Sequence, residues 1–188
     1  MVYVHLADGF EEIEALTIVD LLRRAKIETE TVSIMEHLAV TGAHGVKVAA
    51  DILFEDAVYS NCEMIVLPGG MPGADNLEAH EDLCEKILSF NNQGKFLAAI
   101  CAAPKVFGNL GVLENKKATC YPGFEKEEWE AEILEYKVVV DGRVITSRGP
   151  ATAMAFALTL IEQLKGKEAA DAIAAGLLYT RHCEEFAL

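Results

Sequence analysis

Residues 96–104 read Phe-Leu-Ala-Ala-Ile-Cys-Ala-Ala-Pro, and they are the most informative part of the sequence about the fold. Five consecutive apolar residues predict a strand buried on both faces, because a strand with one wet face would alternate with polar residues. Pro104 suits the first turn of a helix, where its missing N–H is not needed. The stretch therefore predicts an abrupt passage from a central strand to a helix, with Cys101 at the junction.

The rest of the chain repeats this strand-to-helix pattern. Residues 2–7 and 63–68 predict buried strands that end at Asp8-Gly9 and at the glycine-rich loop 69–73. Further strands are predicted over 27–34, 138–140 and 143–146, and a small hairpin or edge structure within 38–54. Helices are predicted over 11–25 (with Ile13, Leu16, Val19 and Leu22 at helical spacing), 79–93, 104–110, from Pro150 to about 164, and over about 167–179.

This alternation predicts an α/β fold with a mostly parallel sheet covered by helices on both faces. In such sheets functional residues lie beyond the carboxyl ends of the strands, which here are the loops 8–14, 69–73 and 101–104. The sequence contains no linker, repeat or low-complexity segment, so we expect one domain over residues 1–188.

The composition excludes several classes of protein. Sixteen basic against thirty acidic side chains give a net charge of −14, and no basic cluster could follow a phosphate backbone, so nucleic acid is not an expected partner. The apolar runs are too short to span a bilayer, and no membrane association is expected. The N-terminus lacks the basic and apolar regions of a secretory signal, which predicts a cytoplasmic protein.

The spacing of the cysteines and histidines argues against a fold held together by disulfide bonds or by a bound metal. The five cysteines (62, 84, 101, 120 and 183) are odd in number and form no CxxC pair, so we expect reduced thiols. The five histidines (5, 37, 44, 80 and 182) form no metal-ligand spacing, and no cofactor motif occurs. Neither a metal nor a cofactor is therefore expected.

Cys101 is the candidate nucleophile. Helix N-terminal N–H groups favour a thiolate, which predicts a Cys101 pKa below the value of about 8.5 for a free cysteine. Small Ala102 and Ala103 leave their backbone N–H groups free to face a developing oxyanion. The alternative is a structural cysteine buried in a turn of small residues.

Glu14 is the candidate partner of this thiol. It follows the first strand in Gly9-Phe-Glu-Glu-Ile-Glu14, and in a doubly wound sheet that turn can lie beside the turn that carries Cys101. A carboxyl group buried there could share a proton with the thiol and act as general acid and base. The alternative is a solvated glutamate in the first turn of a helix.

Four ordered motifs resemble the ThiJ/PfpI superfamily, in particular its branch of parkinsonism-associated deglycase and related bacterial proteins. They are Gly9-Phe-Glu-Glu-Ile-Glu14, Val66-Leu-Pro-Gly-Gly70, Ala99-Ile-Cys101-Ala-Ala-Pro104 and Thr146-Ser-Arg-Gly-Pro150. The resemblance covers nearly the whole chain. It implies a flavodoxin-like three-layer sandwich of the glutamine amidotransferase-like type, assembled as a homodimer.

The resemblance also implies a site and activities. Cys101 would be the nucleophile, Glu14 its protonated partner, and the N–H groups of Gly70 and Ala102 the oxyanion pocket. The implied activities are cofactor-free conversion of methylglyoxal to lactate (the glyoxalase III reaction), deglycation, oxidative-stress sensing and a chaperone role. The expected pocket consists of Gly69, Gly70, Ala102, Tyr121, Arg148 and Pro150.

This chain departs from the family pattern at three positions. Tyr121 stands where many relatives have a histidine, which predicts slow turnover. Ala102 stands where the protease-like branch has a histidine, so a peptidase is not expected. Ala103 replaces the glycine of the closest relatives, which would tighten the pocket.

The leading hypothesis is thus a glyoxalase III or deglycase-like enzyme acting on small reactive carbonyls. The alternatives are an oxidative-stress sensor or holdase chaperone that works through oxidation of Cys101, and a binding protein without catalysis. Three further residues have open roles: Cys120 is a resolving thiol or a structural strand cysteine, and Arg148 binds an anion or orients its loop. Trp129 is predicted in an exposed amphipathic helix over 125–132 that covers part of the site.

Overall fold

The computed structural model describes residues 1–180, so the predictions for His182 and Cys183 lie outside the described residues. The strands are β1 (Val2–Leu6), β2 (Thr29–Ser33), β3 (Ala39–Thr41), β4 (Lys47–Ala49), β5 (Ile52–Leu53), β6 (Met64–Leu67), β7 (Phe96–Ile100), β8 (Lys117–Ala118), β9 (Glu132–Ile133), β10 (Val138–Asp141) and β11 (Val144–Ser147). The α-helices are α1 (Glu12–Arg24), α2 (Gly73–Ala79), α3 (Glu81–Gln93), α4 (Pro104–Asn109), α5 (Ala153–Lys165) and α6 (Lys167–Gly176).

The main sheet has the order β10-β11-β7-β6-β1-β2-β5 within the described residues. All its neighbouring strands run parallel except β10 and β11, which form an antiparallel hairpin around Asp141-Gly142. The predicted α/β fold with a mostly parallel sheet is therefore confirmed. Strands β1, β6 and β7 lie side by side at the centre, so the loops that follow them meet at one edge.

Helices cover both faces of this sheet. On one face Val2, Val4 and Leu6 of β1 belong to the core that α1, α5 and α6 complete. On the other face Tyr3 and Ala7 belong to a second core with α3 and α4. Since successive residues of a strand point to opposite faces, a strand between two helical layers must be apolar throughout, which explains the continuous apolar runs.

Three local predictions require correction. The predicted apolar row of α1 is only half buried: Ile13 and Leu16 are 58% and 42% exposed, because Ala15, Ile18 and Leu22 form the face of α1 that is buried in the core. The predicted helix over 79–93 is α3, which begins two residues later at Glu81, and the prediction missed α2, which precedes it and ends at Ala79. The His80 ring nitrogen Nδ1 accepts a hydrogen bond from the N–H of Leu83 (3.1 Å) and so caps α3.

The predicted exposed helix around Trp129 is also wrong. Only a short 3₁₀ turn, Glu127–Trp129, forms there, and the Trp129 side chain is buried. Its indole lies against the backbone of Gly108 in α4, where any side chain at position 108 would collide with the ring. Its Nε1–H donates to Oδ1 of Asn109 over 2.9 Å. The acidic segment is therefore anchored to α4 by its one tryptophan.

The remaining expectations concern the edge of the sheet and the membrane. The region 38–54 contains the predicted hairpin, β3 with β4, and then contributes β5 to the sheet edge. None of the helices between residues 1 and 180 has the length and hydrophobicity that crossing a bilayer requires.

Candidate active site

Cys101 lies directly after β7, at the centre of the carboxyl edge. Its backbone is left-handed (φ 64°), a conformation that costs a residue with a Cβ atom about 1–2 kcal/mol. Two hydrogen bonds hold it: its N–H donates to the carbonyl of Ser147 (2.9 Å), and its carbonyl accepts from the N–H of Tyr121 (2.8 Å). The surrounding strands thus impose a backbone geometry that the residue itself disfavours.

Glu14 reaches the same point from the first turn of α1. Its carboxyl group is fully buried, and Oε2 accepts a hydrogen bond from the N–H of Gly69 (2.8 Å). Oε1 has no partner with hydrogen-bond geometry among residues 1–180, while the Cys101 thiol interacts with the carboxyl group. The structure brings the two predicted residues together, and a solvated Glu14 is excluded.

Gly69 fits between these two side chains because it has none. A Cβ atom at position 69 would lie 2.6 Å from the Cys101 Cβ and 2.7 Å from Glu14 Oε2, both closer than real Cβ contacts. The loop after β6 therefore approaches the cysteine and the glutamate more closely than any other residue type at position 69 permits.

Burial raises the pKa of the Glu14 carboxyl group to about 7, against the opposing effects of the Gly69 N–H and the Cys101 thiol. Burial also raises the pKa of the Cys101 thiol, and the negative charge of Glu14 raises it further. The prediction of a lowered cysteine pKa is therefore wrong in direction. The N–H groups of Ala102 and Gly70 do lower it, but they do not offset burial beside a carboxylate.

The Glu14 carboxyl group and the Cys101 thiol are therefore placed to exchange a proton. Near neutral pH the carboxyl group is close to half ionised, and the thiol retains its proton. Transfer of that proton from sulfur to Glu14 generates the thiolate without changing the net charge of the buried pair. Such a transfer would form the thiolate only when the carboxylate accepts the proton, whereas the sequence predicts a thiol that is already ionised at neutral pH.

Two backbone N–H groups, those of Gly70 and Ala102, interact with the Cys101 sulfur. Gly70 has a left-handed backbone (φ 90°), and a side chain there would meet the backbone of Glu11 at 2.4 Å. N–H groups that converge on one atom can stabilise negative charge on it or on an oxygen bonded to it. The geometry is consistent with the predicted oxyanion role of both residues.

Access to this point is narrow but open. Cys101 is 8% exposed, whereas Cys62 and Cys120 are 1% and 2% exposed. A cavity of about 360 Å³ has Tyr121, Pro122, Arg148 and Pro150 among its lining residues, but Cys101 does not line it. Tyr121 connects the cavity to the cysteine, because its backbone N–H donates to the carbonyl of Cys101.

The predicted pocket residues therefore fall into two groups. Gly69, Gly70 and Ala102 surround the sulfur, while Tyr121, Arg148 and Pro150 line the adjoining cavity. The Tyr121 ring is 46% exposed and meets Phe124 edge to face. The cavity is large enough for a small ligand, since ligand pockets span roughly 300–1,000 Å³.

Arg148 has mainly a structural environment. Its side chain is 17% exposed, its Nη2 lies 3.9 Å from Oε1 of Glu135, and its backbone N–H donates to the carbonyl of Lys137 (3.3 Å). These contacts favour the orienting role over anion binding, although the residue lines the cavity.

Cys120 also has a structural environment. Its sulfur lies 3.8 Å from Oε2 of Glu125. Burial and the Glu125 carboxylate raise its pKa to about 12, which disfavours the thiolate that a resolving cysteine needs. The structural interpretation of Cys120 is therefore the better supported one.

One group of potential metal ligands comes together in the described part of the chain: Glu11, Glu12 and His44. Each carboxylate has protein partners. Glu11 accepts from the N–H of Glu14 (2.8 Å) and caps α1, and Glu12 accepts from the backbone N–H and Nδ1 of His44 (2.7 and 2.8 Å). The contacts attach the β3–β4 hairpin to the start of α1.

The sequence interpretation missed Lys105, in the first turn of α4. Its ammonium group pairs with Asp75 and, at 3.0 Å, with Glu78, both on α2. A signal was present, since a lysine in the first turn of a helix faces the positive end of the helix dipole and needs a compensating anion.

The fold and this arrangement define an α/β protein that places a cysteine and a buried glutamate at the carboxyl edge of a parallel sheet. The chain belongs to the DJ-1/PfpI family: a sequence profile of that family matches residues 1–163. The resemblance inferred from the four motifs is thereby confirmed.

Protein DJ-1 homolog B of Arabidopsis thaliana is 41% identical over 179 residues, which are 94% of this chain and 41% of that protein. The chain spans less than half the length of that relative. A Pyrococcus abyssi protein named a deglycase is 30% identical over 161 residues, 85% of this chain and 96% of that protein. The solved structure of oxidized Toxoplasma gondii DJ-1 matches with a TM-score of 0.90 and 40% identity, covering 95% of this chain and 98% of that one.

Proposed function

We propose that this protein is a cysteine-dependent, cofactor-free enzyme that acts on small reactive carbonyls, with methylglyoxal converted to lactate as the model reaction. The observation that carries the proposal is the buried Glu14 carboxyl group beside the Cys101 thiol, with a pKa of about 7. The Pyrococcus abyssi relative named a deglycase supports chemistry on carbonyl adducts of the same class.

The first step is addition of sulfur to the aldehyde carbon. The Cys101 thiol gives its proton to the Glu14 carboxylate as the S–C bond forms, and the carbonyl π electrons move to oxygen. The N–H groups of Gly70 and Ala102 stabilise that oxyanion. The protonated Glu14 then returns the proton to it, giving a neutral hemithioacetal and a regenerated carboxylate.

The second stage moves hydrogen between the two carbons of the substrate. Glu14 removes the proton from the former aldehyde carbon and delivers it to the ketone oxygen, which gives a neutral enediol. Glu14 then takes the proton from the other hydroxyl group and delivers it to the neighbouring carbon. The former aldehyde carbon is oxidised to a thioester and the ketone carbon is reduced to an alcohol, so no external oxidant is needed. Water then hydrolyses the thioester, which releases lactate and restores the thiol.

The test is lactate formation from methylglyoxal without glutathione or added metal. Wild type should turn over, Cys101→Ser should lose activity, and Glu14→Gln should retain at most a few per cent of it. Cys120→Ser is the matched control and should behave as wild type, since its sulfur faces Glu125. Lactate formation at the wild-type rate in Cys101→Ser would refute the proposal.

A second candidate function is an oxidant sensor that works through Cys101. The observation that favours it is access: Cys101 is the most exposed of the three buried cysteines, and two N–H groups beside its sulfur would stabilise a sulfinate. The similar Toxoplasma gondii protein was solved in an oxidized form. Mass spectrometry after mild peroxide treatment separates the two: two added oxygens on Cys101 without dicarbonyl turnover would support the sensor.

A further inference from the structure

The two N–H donors at the Cys101 sulfur belong to different loops, and each loop is anchored by the first turn of its own helix. The carbonyl of Gly70 accepts from the N–H of Ala74 in α2 (2.9 Å). The carbonyl of Ala102 accepts from the N–H of Lys105 in α4 (3.3 Å). The separation of the two donors therefore depends on how α2 and α4 are held against each other.

Lys105 connects these two helices with its side chain. Its ammonium group pairs with Asp75, next to Ala74 in the first turn of α2, and with Oε2 of Glu78 one turn further on (3.0 Å). Its backbone holds Ala102, and its side chain holds the helix that anchors Gly70. Lys105 therefore contacts both the loop that carries the Ala102 N–H and the helix that anchors the Gly70 loop.

The environment of Lys105 differs from that of an ordinary surface ion pair. Its side chain is 13% exposed, and its partners Asp75 and Glu78 are 50% and 31% exposed, whereas both side chains of the Arg24–Asp20 pair within α1 are more than half exposed. Hydrogen bonds with Asp75 and Glu78 outweigh burial and raise the pKa of Lys105, so the ammonium group stays charged. Interactions of a largely buried charge are screened less than those of exposed charges.

The Glu78 carboxylate, which pairs with Lys105, is itself held in a defined orientation. Oε1 of Glu78 accepts a hydrogen bond from the amide of Asn109, at the end of α4. Oδ1 of Asn109 in turn accepts from the indole N–H of the buried Trp129 (2.9 Å). Glu78 is therefore held by both ends of α4, which gives the Lys105 contact a defined direction.

We propose that Lys105 is a positioning residue for the reaction at Cys101: it sets the separation of the Gly70 and Ala102 N–H groups by clamping α2 to α4. The inference rests on the proposed function for its meaning in turnover. Its physical content, the reactivity of the Cys101 thiol, is measurable without turnover. Small displacements of groups that position reacting atoms reduce rates strongly, by up to about a hundredfold per ångström.

The test compares Lys105→Met, Lys105→Arg and Lys126→Met with wild type. Lys126 is the matched control, because it donates to Oδ1 of Asn109 in the same cluster (3.3 Å), a hydrogen bond that does not involve α2. The first measurement is the rate of Cys101 alkylation by iodoacetamide as a function of pH, with the modified residue identified by mass spectrometry. The second is the dependence of lactate formation on methylglyoxal concentration.

In Lys105→Met we expect the alkylation profile to move to higher pH and kcat to fall about tenfold, with KM within about twofold of wild type. Lys105→Arg keeps both ion pairs and should restore most of the kcat. Lys126→Met should match wild type in both measurements. If Lys105→Met is folded by circular dichroism and has the wild-type alkylation profile and kcat, the inference is wrong.

Glu78→Gln provides a second variant in case Lys105→Met does not fold, since it preserves shape and removes one ion pair. It should shift the alkylation profile in the same direction, and its effect should not add to that of Lys105→Met. A wild-type profile in Glu78→Gln would also count against the clamp. Absence of lactate formation in wild type would refute the proposed function alone, because the alkylation profiles still decide the role of Lys105.

Discussion

The backbone N–H of Tyr121 donates to the carbonyl oxygen of Cys101 over 2.8 Å. This bond fixes residue 121 beside the thiol whatever its side chain is, because only backbone atoms take part. The ring then extends into the adjoining cavity, against Phe124 and within van der Waals reach of Gly149. The side chain of Tyr121 can therefore be replaced without loss of this backbone hydrogen bond.

Tyr121→His should increase turnover. An imidazole at this place can both accept and donate a proton near neutral pH, which a phenol does not do readily. We expect kcat to rise about tenfold, a small part of what a fully positioned acid–base group contributes. Tyr121→Phe is the control and should leave kcat unchanged, as it alters only the hydroxyl group. An unchanged kcat in both variants would contradict a proton-transfer deficit at this position.

Glu14→Gln should lower kcat by about 10²- to 10⁴-fold, because the amide cannot accept the thiol proton. In wild type, activity should rise with pH through about 7 as the Glu14 carboxyl group ionises, and the variant should lack this limb. Glu12→Gln changes a neighbouring carboxylate that bonds His44 instead, and it should keep the wild-type pH profile. A wild-type profile in Glu14→Gln would exclude Glu14 as the base.

The same glutamate should make folding stability depend on pH. Its pKa is raised from 4.5 in the unfolded chain to about 7 in the folded one, so its favourable contribution is complete below pH 4.5 and is lost as pH rises through about 7. Relative to Glu14→Gln, wild type should lose on the order of 3 kcal/mol of unfolding free energy between pH 4.5 and pH 8. Urea unfolding of both proteins across this range measures the difference. If the unfolding free energies of the two proteins changed in parallel with pH, the pKa of the Glu14 carboxyl group would not be raised by folding.

His5 should produce the opposite dependence at lower pH. It is fully buried, its Nε2 lies 2.7 Å from the Tyr59 hydroxyl, and burial lowers its pKa from 6.5 to about 3. Below pH 6.5 the unfolded chain takes up a proton that the folded chain refuses, so stability falls as pH drops toward 3. In urea unfolding, His5→Gln should reduce the pH dependence of the unfolding free energy by an amount that corresponds to the uptake of at most one proton. The exposed His37 is the control, and His37→Gln should leave the slope between pH 3 and 5 unchanged.

The sequence was sufficient for the features that depend on continuous burial. A strand between two helical layers has to be apolar on both sides, so β1, β6 and β7 are visible as uninterrupted runs, and their parallel arrangement brings the loops of Glu14, Gly69 and Cys101 together. The proximity of the cysteine and the glutamate thus followed from topology alone.

The features that depend on tertiary contacts could not be predicted from the sequence. Trp129 lies in an acidic segment whose composition indicates exposure, yet Gly108 leaves room for its ring against α4. The direction of the Cys101 pKa shift depends on how completely Glu14 is buried, which local sequence does not determine. The Lys105 ion pairs join α2 and α4, which are separated along the chain by α3 and β7, and no periodic pattern in the sequence indicates them.

The left-handed backbone of Cys101 has a consequence for engineering and evolution. Glycine adopts this conformation without strain, which offsets the loss of a buried side chain at least in part, so a screen that rewards heat resistance alone would have little reason to keep the cysteine over Cys101→Gly. A protein selected in this way would keep its fold and lose the thiol of residue 101. Retention of a side-chain-bearing residue here is therefore a mark of selection for reactivity, and replacement by glycine would identify a descendant that has abandoned it.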